Sequence, residues 1–285
     1  MKLVNASFNR ASYNPRKGYR KTQRKGKYIM RNTRTLSGMP NAFPQFTPKA
    51  QTITSPTVSV STDEKIKKAG SNGVLIHVVL DESSSMGSVT QQTIDSFNSW
   101  LKEQQLEEGE CYLTLSKFNG STVNYIFVNK DIKSVEPLST QTYRPSGSTN
   151  LLDAIGDNII KANAYLGSKK KAQRPGVIMV VLTDGEENTS NKFSKSSIKG
   201  LVEKAEGKDW TFLFMGANID AFHEGSAMGF GANNTVQYNT SNMSGSMAAL
   251  SSITARTRTA YTKGFSGEAL RASATYTQAE RDQSL

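Results

Sequence analysis

The sequence predicts an α/β fold: a three-layer α/β/α sandwich whose central sheet is mostly parallel, with one antiparallel edge strand. Three observations predict it. The runs VLIHVVL (Val74–Leu80) and VIMVVL (Val177–Leu182) contain no turn former, and an aspartate stands at or just past the end of each (Asp81, Asp184). Strands covered on both faces of a parallel sheet read this way. Short β-rich runs alternate with segments whose apolar residues recur three and four apart, which implies crossover helices. Asn119-Gly120 between two such runs is a hairpin signal and supplies the antiparallel edge.

Taken in order, residues 1–70 are rich in Arg, Lys, Asn, Ser, Thr and Pro, with few clustered apolar residues. Such a segment buries too little surface to offset its ordering entropy. It reads as a basic, extended, low-complexity arm followed by a Pro/Thr/Ser linker from Pro40 to Pro56. Ser71-Asn72-Gly73 turns the chain into the first strand. Ile94, Phe97, Trp100 and Leu101 place a helix over Val89–Leu106, stopped by Gly109. Cys111–Phe118 and Val123–Val128 are the hairpin strands. Leu151–Leu166 is the second helix, with Leu152, Ile155, Ile159 and Ile160 on its apolar side. Val177–Leu182 is a strand, Ser196–Ala205 a helix, Trp210–Met215 a strand and Ile219–Met228 a short helix. Thr235–Gln237 is a short strand and Gly245–Thr259 the last helix. The domain therefore spans residues 71–261, and residues 262–285 read as a loose polar C-terminal tail.

Charge is unevenly spread. Of 35 Lys and Arg and 24 Asp and Glu, residues 1–62 hold 12 basic residues and no acidic one. The net charge of +11 thus belongs to the arm, and the folded part is close to neutral. The basic block comprises Arg16, Lys17, Arg20, Lys21, Arg24, Lys25, Lys27, Arg31 and Arg34, interleaved with Tyr19 and Tyr28. Residues 10–34 could contact nucleic-acid phosphates, with the tyrosines stacking on bases, or an acidic protein surface, or serve only as a solubilising tail. The single cysteine, Cys111, excludes an internal disulfide framework and fits a reducing, cytoplasmic setting. No apolar run of membrane-spanning length and no signal-peptide h-region is present, so neither a membrane span nor secretion by a signal peptide is expected.

The chemistry gathers at strand ends. Asp81, Ser83 and Ser85 follow the first strand, the loop Pro145–Asn150 offers Thr149 at a helix start, and Asp184 follows the strand Val177–Leu182. Open α/β sheets bind ligands in the crevice at the carboxyl ends of their strands. Two carboxylates and three hydroxyls, with no His or Cys beside them, suit a hard cation such as Mg²⁺ better than zinc. Taken alone, DESSS reads equally as a serine-rich turn capping the next helix.

DESSS, Gly147-Ser148-Thr149 and Thr183-Asp184-Gly185 resemble the metal-ion-dependent adhesion site (MIDAS) of von Willebrand factor A-type (vWA) domains. The five ligand types appear in that family's order, over about two thirds of the chain. TYRPSGSTNLLDAIGDNI, VIMVVLTDGEENTS and WTFLFMGANIDAF look closest to small intracellular bacterial and phage members. Ser84 stands where many relatives have Gly. The resemblance implies a Rossmann-like vWA fold. It also implies a divalent cation (Mg, or Mn or Ca) held by Asp81, Ser83, Ser85, Thr149 and Asp184, and a protein partner that donates an Asp or Glu to the ion. Two contexts fit: an adaptor of a ring-forming AAA+ ATPase, or a component of an oligomeric assembly such as a virion, in the host cytoplasm or the particle. A nucleic-acid-binding protein acting through its arm is the alternative.

Catalysis is not expected. Asp81 as a phosphoryl acceptor lacks the second aspartate two residues on, where Ser83 stands. No Gly-x-Ser-x-Gly elbow exists. His77 lies inside a strand and reads as a packed residue, and His223 reads as a surface one. The Gly225–Gly231 cluster lacks dinucleotide-site spacing and reads as a turn. The Asn-x-Ser/Thr matches at Asn5, Asn119, Asn188, Asn234 and Asn239 are what an Asn- and Ser-rich chain yields by chance.

Overall fold

Six strands form one sheet in the order β3-β2-β1-β4-β5-β6. They are β1 (Val74–Asp81), β2 (Cys111–Asn119), β3 (Thr122–Asp131), β4 (Gly176–Thr183), β5 (Thr211–Gly216) and β6 (Thr235–Gln237). The structure, a computed structural model, describes residues 73–120 and 122–285. The basic block, the linker and the Ser71-Asn72 half of the first turn lie outside the described residues. All strand pairings are parallel except β2 with β3, so the expected sandwich with one antiparallel edge is what forms. Seven helices accompany the sheet among the described residues: α1 (Thr90–Leu106), α2 (Leu151–Gly167), α3 (Lys195–Glu206), α4 (Ala221–Ala227), α5 (Met243–Thr262), α6 (Gly267–Ser273) and α7 (Gln278–Ser284). None is long and apolar enough to cross a membrane.

Every residue of β1 is buried, because helices cover both faces. Val74, Ile76, Val78 and Leu80 join Phe97 and Trp100 of α1 and Leu250 and Ile253 of α5. Val79 of β1 and Met179 and Val181 of β4 join Ile155 and Ile159 of α2 and Ile198 and Val202 of α3. His77 points to the α2 side, its Nδ1 3.1 Å from Asn158 Oδ1. Burial pushes its imidazole down to about 4, so it packs as a neutral strand residue. The strand order reverses between β1 and β4, and the carboxyl ends of strands at such a switch point part to leave a crevice.

Two expectations are corrected. Ile160 is 53% exposed; the buried stripe of α2 runs through Leu152, Ile155, Ile159 and Ala162, and Ile160 stands about 100° around the helix from Ile159. Residues 262–285 are not a loose tail. Helices α6 and α7 bring Leu270 and Tyr276 into the core under α5. Arg256 of α5 donates to both carboxylate oxygens of Glu280 at 2.6 and 3.1 Å, and Arg281 donates to Thr235 O at 2.6 Å. Polar side chains with specific partners anchor this segment, and apolar periodicity does not detect them.

Candidate metal centre

Asp81 closes β1, and its two oxygens are held apart in role. Oδ1 accepts the Ser83 N–H at 2.7 Å, and Oδ2 accepts the Thr183 hydroxyl at 2.6 Å. Ser83 Oγ lies 3.0 Å from Ser85 Oγ, and Ser85 Oγ donates to Asp184 Oδ1 at 2.6 Å. Thr149 and Ser85 both lie beside Gly185: a methyl on the Gly185 Cα would stand 3.5 Å from Thr149 Oγ1 and 3.6 Å from Ser85 Oγ. The five residues singled out in the sequence therefore meet at the end of the β1/β4 crevice. Asp81, Ser83, Thr149 and Asp184 are buried, whereas Ser84, Ser85 and Glu186 are exposed. The cluster opens to solvent on the Ser85 side.

Main-chain bonds hold the three loops in register. Ser84 N–H donates to Gly147 O at 3.0 Å and Ser146 N–H to Glu82 O at 2.9 Å, tying the first loop to the second. Gly120 N–H reaches Ser148 O at 2.6 Å. Gly147 has φ +73°, and a Cβ there would come within 3.1 Å of Gly120 N. Only glycine meets both conditions without strain. The third loop joins through Asn188, whose Oδ1 accepts the Thr149 N–H at 2.9 Å and whose own N–H donates to Thr149 O at 3.0 Å.

Sequence reasoning missed the residues that brace this cluster. Thr183 and Asn188 both stand within VIMVVLTDGEENTS, yet no local signal gives either side chain a bracing role. Tyr143 donates its hydroxyl to Asp81 O at 2.7 Å. Glu82, 2% exposed, accepts from Lys117 Nζ at 2.6 Å, the Arg144 N–H at 2.6 Å and Asn119 Nδ2 at 3.1 Å.

The charge distribution around the cluster is uncompensated. Among the described residues the salt bridges involve Glu82, Asp157, Glu224 and Glu280, never Asp81 or Asp184. Burial, with Asp184 adding repulsion, pushes Asp81 up from 3.8 to about 6, and burial also raises Asp184. Two carboxylates sharing a buried site without a counter-charge favour a proton or a metal ion. The donor set fits a hard ion. Mg²⁺–oxygen bonds of about 2.0–2.1 Å put neighbouring vertices of an octahedron roughly 3 Å apart. The Ser83–Ser85 and Ser85–Asp184 oxygen separations of 3.0 and 2.6 Å are close to that spacing. No group of three His, Cys, Asp or Glu side chains with metal-binding geometry occurs among the described residues, so an ion here depends on the hydroxyls.

Comparison with protein-family models and with curated proteins finds no match. Solved structures do match. Proximal thread matrix protein 1 from the mussel byssus is 17% identical over 64% of this chain and 48% of its own, with a TM-score of 0.48. A form of it described as having a zinc-occupied MIDAS motif gives 17%, the same coverages and 0.47. A von Willebrand factor type A protein from Catenulispora acidiphila is 10% identical over 65% of this chain and 43% of its own, with a TM-score of 0.44. The chain spans about half the length of the first of these, or less for the last. The chemistry of the site stands on its own residues.

Proposed function

We propose that this chain is a metal-ion-dependent protein-binding module. Asp81, Ser83, Ser85, Thr149 and Asp184 hold Mg²⁺, with Mn²⁺ or Ca²⁺ as substitutes, and a partner's Asp or Glu completes the coordination on the Ser85 side. The observation that carries the reading is the meeting of two buried, uncompensated carboxylates with three hydroxyls at one solvent-facing mouth. The hydroxyls add no negative charge, so a divalent ion cancels the two carboxylates and leaves no net repulsion against an arriving acid group. When bound, the ion supplies an electrophilic position for that oxygen ligand. The chain's residues do the placing: Thr183 and the Ser83 N–H orient Asp81, and Asn188 anchors Thr149. The module binds rather than catalyses. His77 is enclosed between β1 and α2, and His223 is exposed on α4, in keeping with that view.

Calorimetry on EDTA-treated protein tests this directly. Mg²⁺ uptake by the wild type and its loss in Asp81→Ala are expected; equal uptake by both, or none by either, refutes the proposal. A pull-down in Mg²⁺ and in EDTA, again beside Asp81→Ala, then identifies the acidic partner. The biological setting we propose is an adaptor or assembly component of bacterial or phage origin.

A second reading is favoured by one observation, the 12 basic and no acidic residues of positions 1–62. It makes the arm a nucleic-acid contact. Binding that weakens steeply with salt, and that deletion of residues 1–62 removes, is the expected result; identical retention of nucleic acid by both forms excludes it.

A further inference from the structure

Between Asn158 and Thr183 the chain carries five cations, Lys161, Lys169, Lys170, Lys171 and Arg174, and no acidic residue. The fold gathers them at one end of α2. That helix stops at Gly167, and a hydrogen-bonded turn returns the chain to Gly176, where β4 begins. In the turn the Lys169 N–H donates to Leu166 O at 3.1 Å, the Gln173 N–H to Lys170 O at 2.8 Å and the Arg174 N–H to Lys171 O at 3.3 Å. A folded segment therefore displays Lys170, Lys171 and Arg174, all exposed. Lys161 extends the row roughly 10 Å back along α2. Its ammonium sits 4.3 Å from the centre of the Tyr125 ring, and that of Lys169 sits 4.7 Å from the Tyr165 ring. Two of the five are thus held in place before any partner arrives. The salt bridges among the described residues use Lys117, Lys192, Lys195 and Arg256, and none of these five. One cation past a helix C-terminus complements the helix dipole; four between Lys169 and Arg174 go beyond that and repel one another.

We propose that this turn and the end of α2 are a docking surface for the phosphate backbone of nucleic acid. A row of cations with no acid among them matches a linear polyanion, which in a duplex carries a charge about every 1.7 Å of axis. A lone carboxylate on a folded partner would engage only part of the row. Lysines cover both tyrosine rings, so the surface reads charge rather than bases, and binding is independent of sequence. The turn, Ser168 to Arg174, has no large apolar side chain of the kind that an element inserting into a membrane surface carries. The surface and the metal centre lie at opposite ends of β4, since Gly176 and Asp184 are separated by the length of that strand, about 26 Å. The proposal concerns the folded domain's own residues and rests neither on the arm nor on a metal ion.

The test measures binding of the full-length protein to a short mixed-sequence DNA duplex, by fluorescence anisotropy across a salt series in EDTA. Wild type is compared with the triple variant Lys170→Gln, Lys171→Gln, Arg174→Gln. A second triple variant, Lys102→Gln, Lys133→Gln, Lys204→Gln, removes the same charge from exposed lysines elsewhere. Loss of three phosphate contacts should lower the slope of log affinity against log salt by about 2.7, while the control keeps the wild-type slope. A fall of less than about one, or a fall that the control matches, overturns the proposal. So does a wild type that binds no duplex, and capture by phosphatidylserine vesicles in that case assigns the turn to a membrane surface instead. Should the first variant fail to fold, acetylation of wild-type lysines, read by mass spectrometry, decides. Protection of Lys169, Lys170 and Lys171 by the duplex supports the proposal, and unchanged labelling overturns it.

Discussion

Replacing Asp81 with asparagine should stabilise the protein in EDTA and abolish its stabilisation by Mg²⁺. In the metal-free protein the Asp81 carboxyl is raised from 3.8 to about 6, chiefly by burial. A carboxyl whose pKa is higher folded than unfolded holds its proton more tightly in the native state. Its favourable contribution is complete below pH 3.8 and is lost as pH rises through about 6. At about 1.4 kcal/mol per pH unit, the rise amounts to roughly 3 kcal/mol withheld from folding at neutral pH. Asparagine removes that charge and can keep both bonds. Its Oδ1 accepts the Ser83 N–H, and its Nδ2 donates to Thr183 Oγ1, whose own hydrogen turns to Gly185 O, already 3.1 Å away. Thermal melts in EDTA should therefore place Asp81→Asn above wild type by several degrees near pH 7, at about 2–4 °C per kcal/mol. The gap should close as pH falls through the window between about 6 and 3.8. Saturating Mg²⁺ should raise the wild type by about 2.7 kcal/mol at a hundredfold excess over Kd, and leave the variant unmoved. A variant less stable than wild type in EDTA at neutral pH would refute the argument that the uncompensated charge at Asp81 opposes folding.

Three further changes test the frame around the site. Gly147→Ala forces a Cβ onto φ +73° beside Gly120 N; we expect a loss of about 1–2 kcal/mol in denaturant melts together with weaker Mg²⁺ binding, because the same loop carries Thr149. Leu270→Ala should lower stability by about 2–5 kcal/mol, as Leu270 is 2% exposed in the core under α5; an unchanged denaturation midpoint would mean that residues 262–285 are dispensable. Glu82→Gln should cost about 3 kcal/mol at neutral pH, since Lys117 loses its 2.6 Å partner and one amide N–H is turned toward another donor.

The sheet and the side chains that gather at its carboxyl edge were legible because both follow short-range rules. Continuous apolar runs at Val74–Leu80 and Val177–Leu182 announce strands covered on two faces, and the residues that end them fall in the crevice by topology alone. What sequence could not supply was pairing across distance. Lys117 meets Glu82 from 35 residues away and Tyr143 meets Asp81 from 62, and no local pattern marks either. The C-terminal helices were missed for a related reason. Residues 262–285 read as a loose polar tail, yet Arg256 and the carbonyl of Thr235 hold Glu280 and Arg281 against α5 and β6. Ile160 failed the other way: adjacency to a buried stripe is not membership of it.

Asp81 and Glu82 are neighbours in sequence, both carboxylates and both buried, and the fold treats them oppositely. Glu82 receives an ammonium, a backbone N–H and an amide, enough to satisfy its charge. Asp81 receives one hydroxyl and one N–H, with Asp184 rather than a cation as its charged neighbour. Amidation should therefore destabilise the protein at position 82 and stabilise the metal-free protein at position 81. A purely structural serine-rich turn has no reason to deny Asp81 a counter-charge with Lys117 on the neighbouring strand, in register with Leu80. A site that takes its counter-charge from solution does. The sign of those two substitutions, measured side by side in EDTA, separates a helix-capping turn from a cation site without any knowledge of the partner.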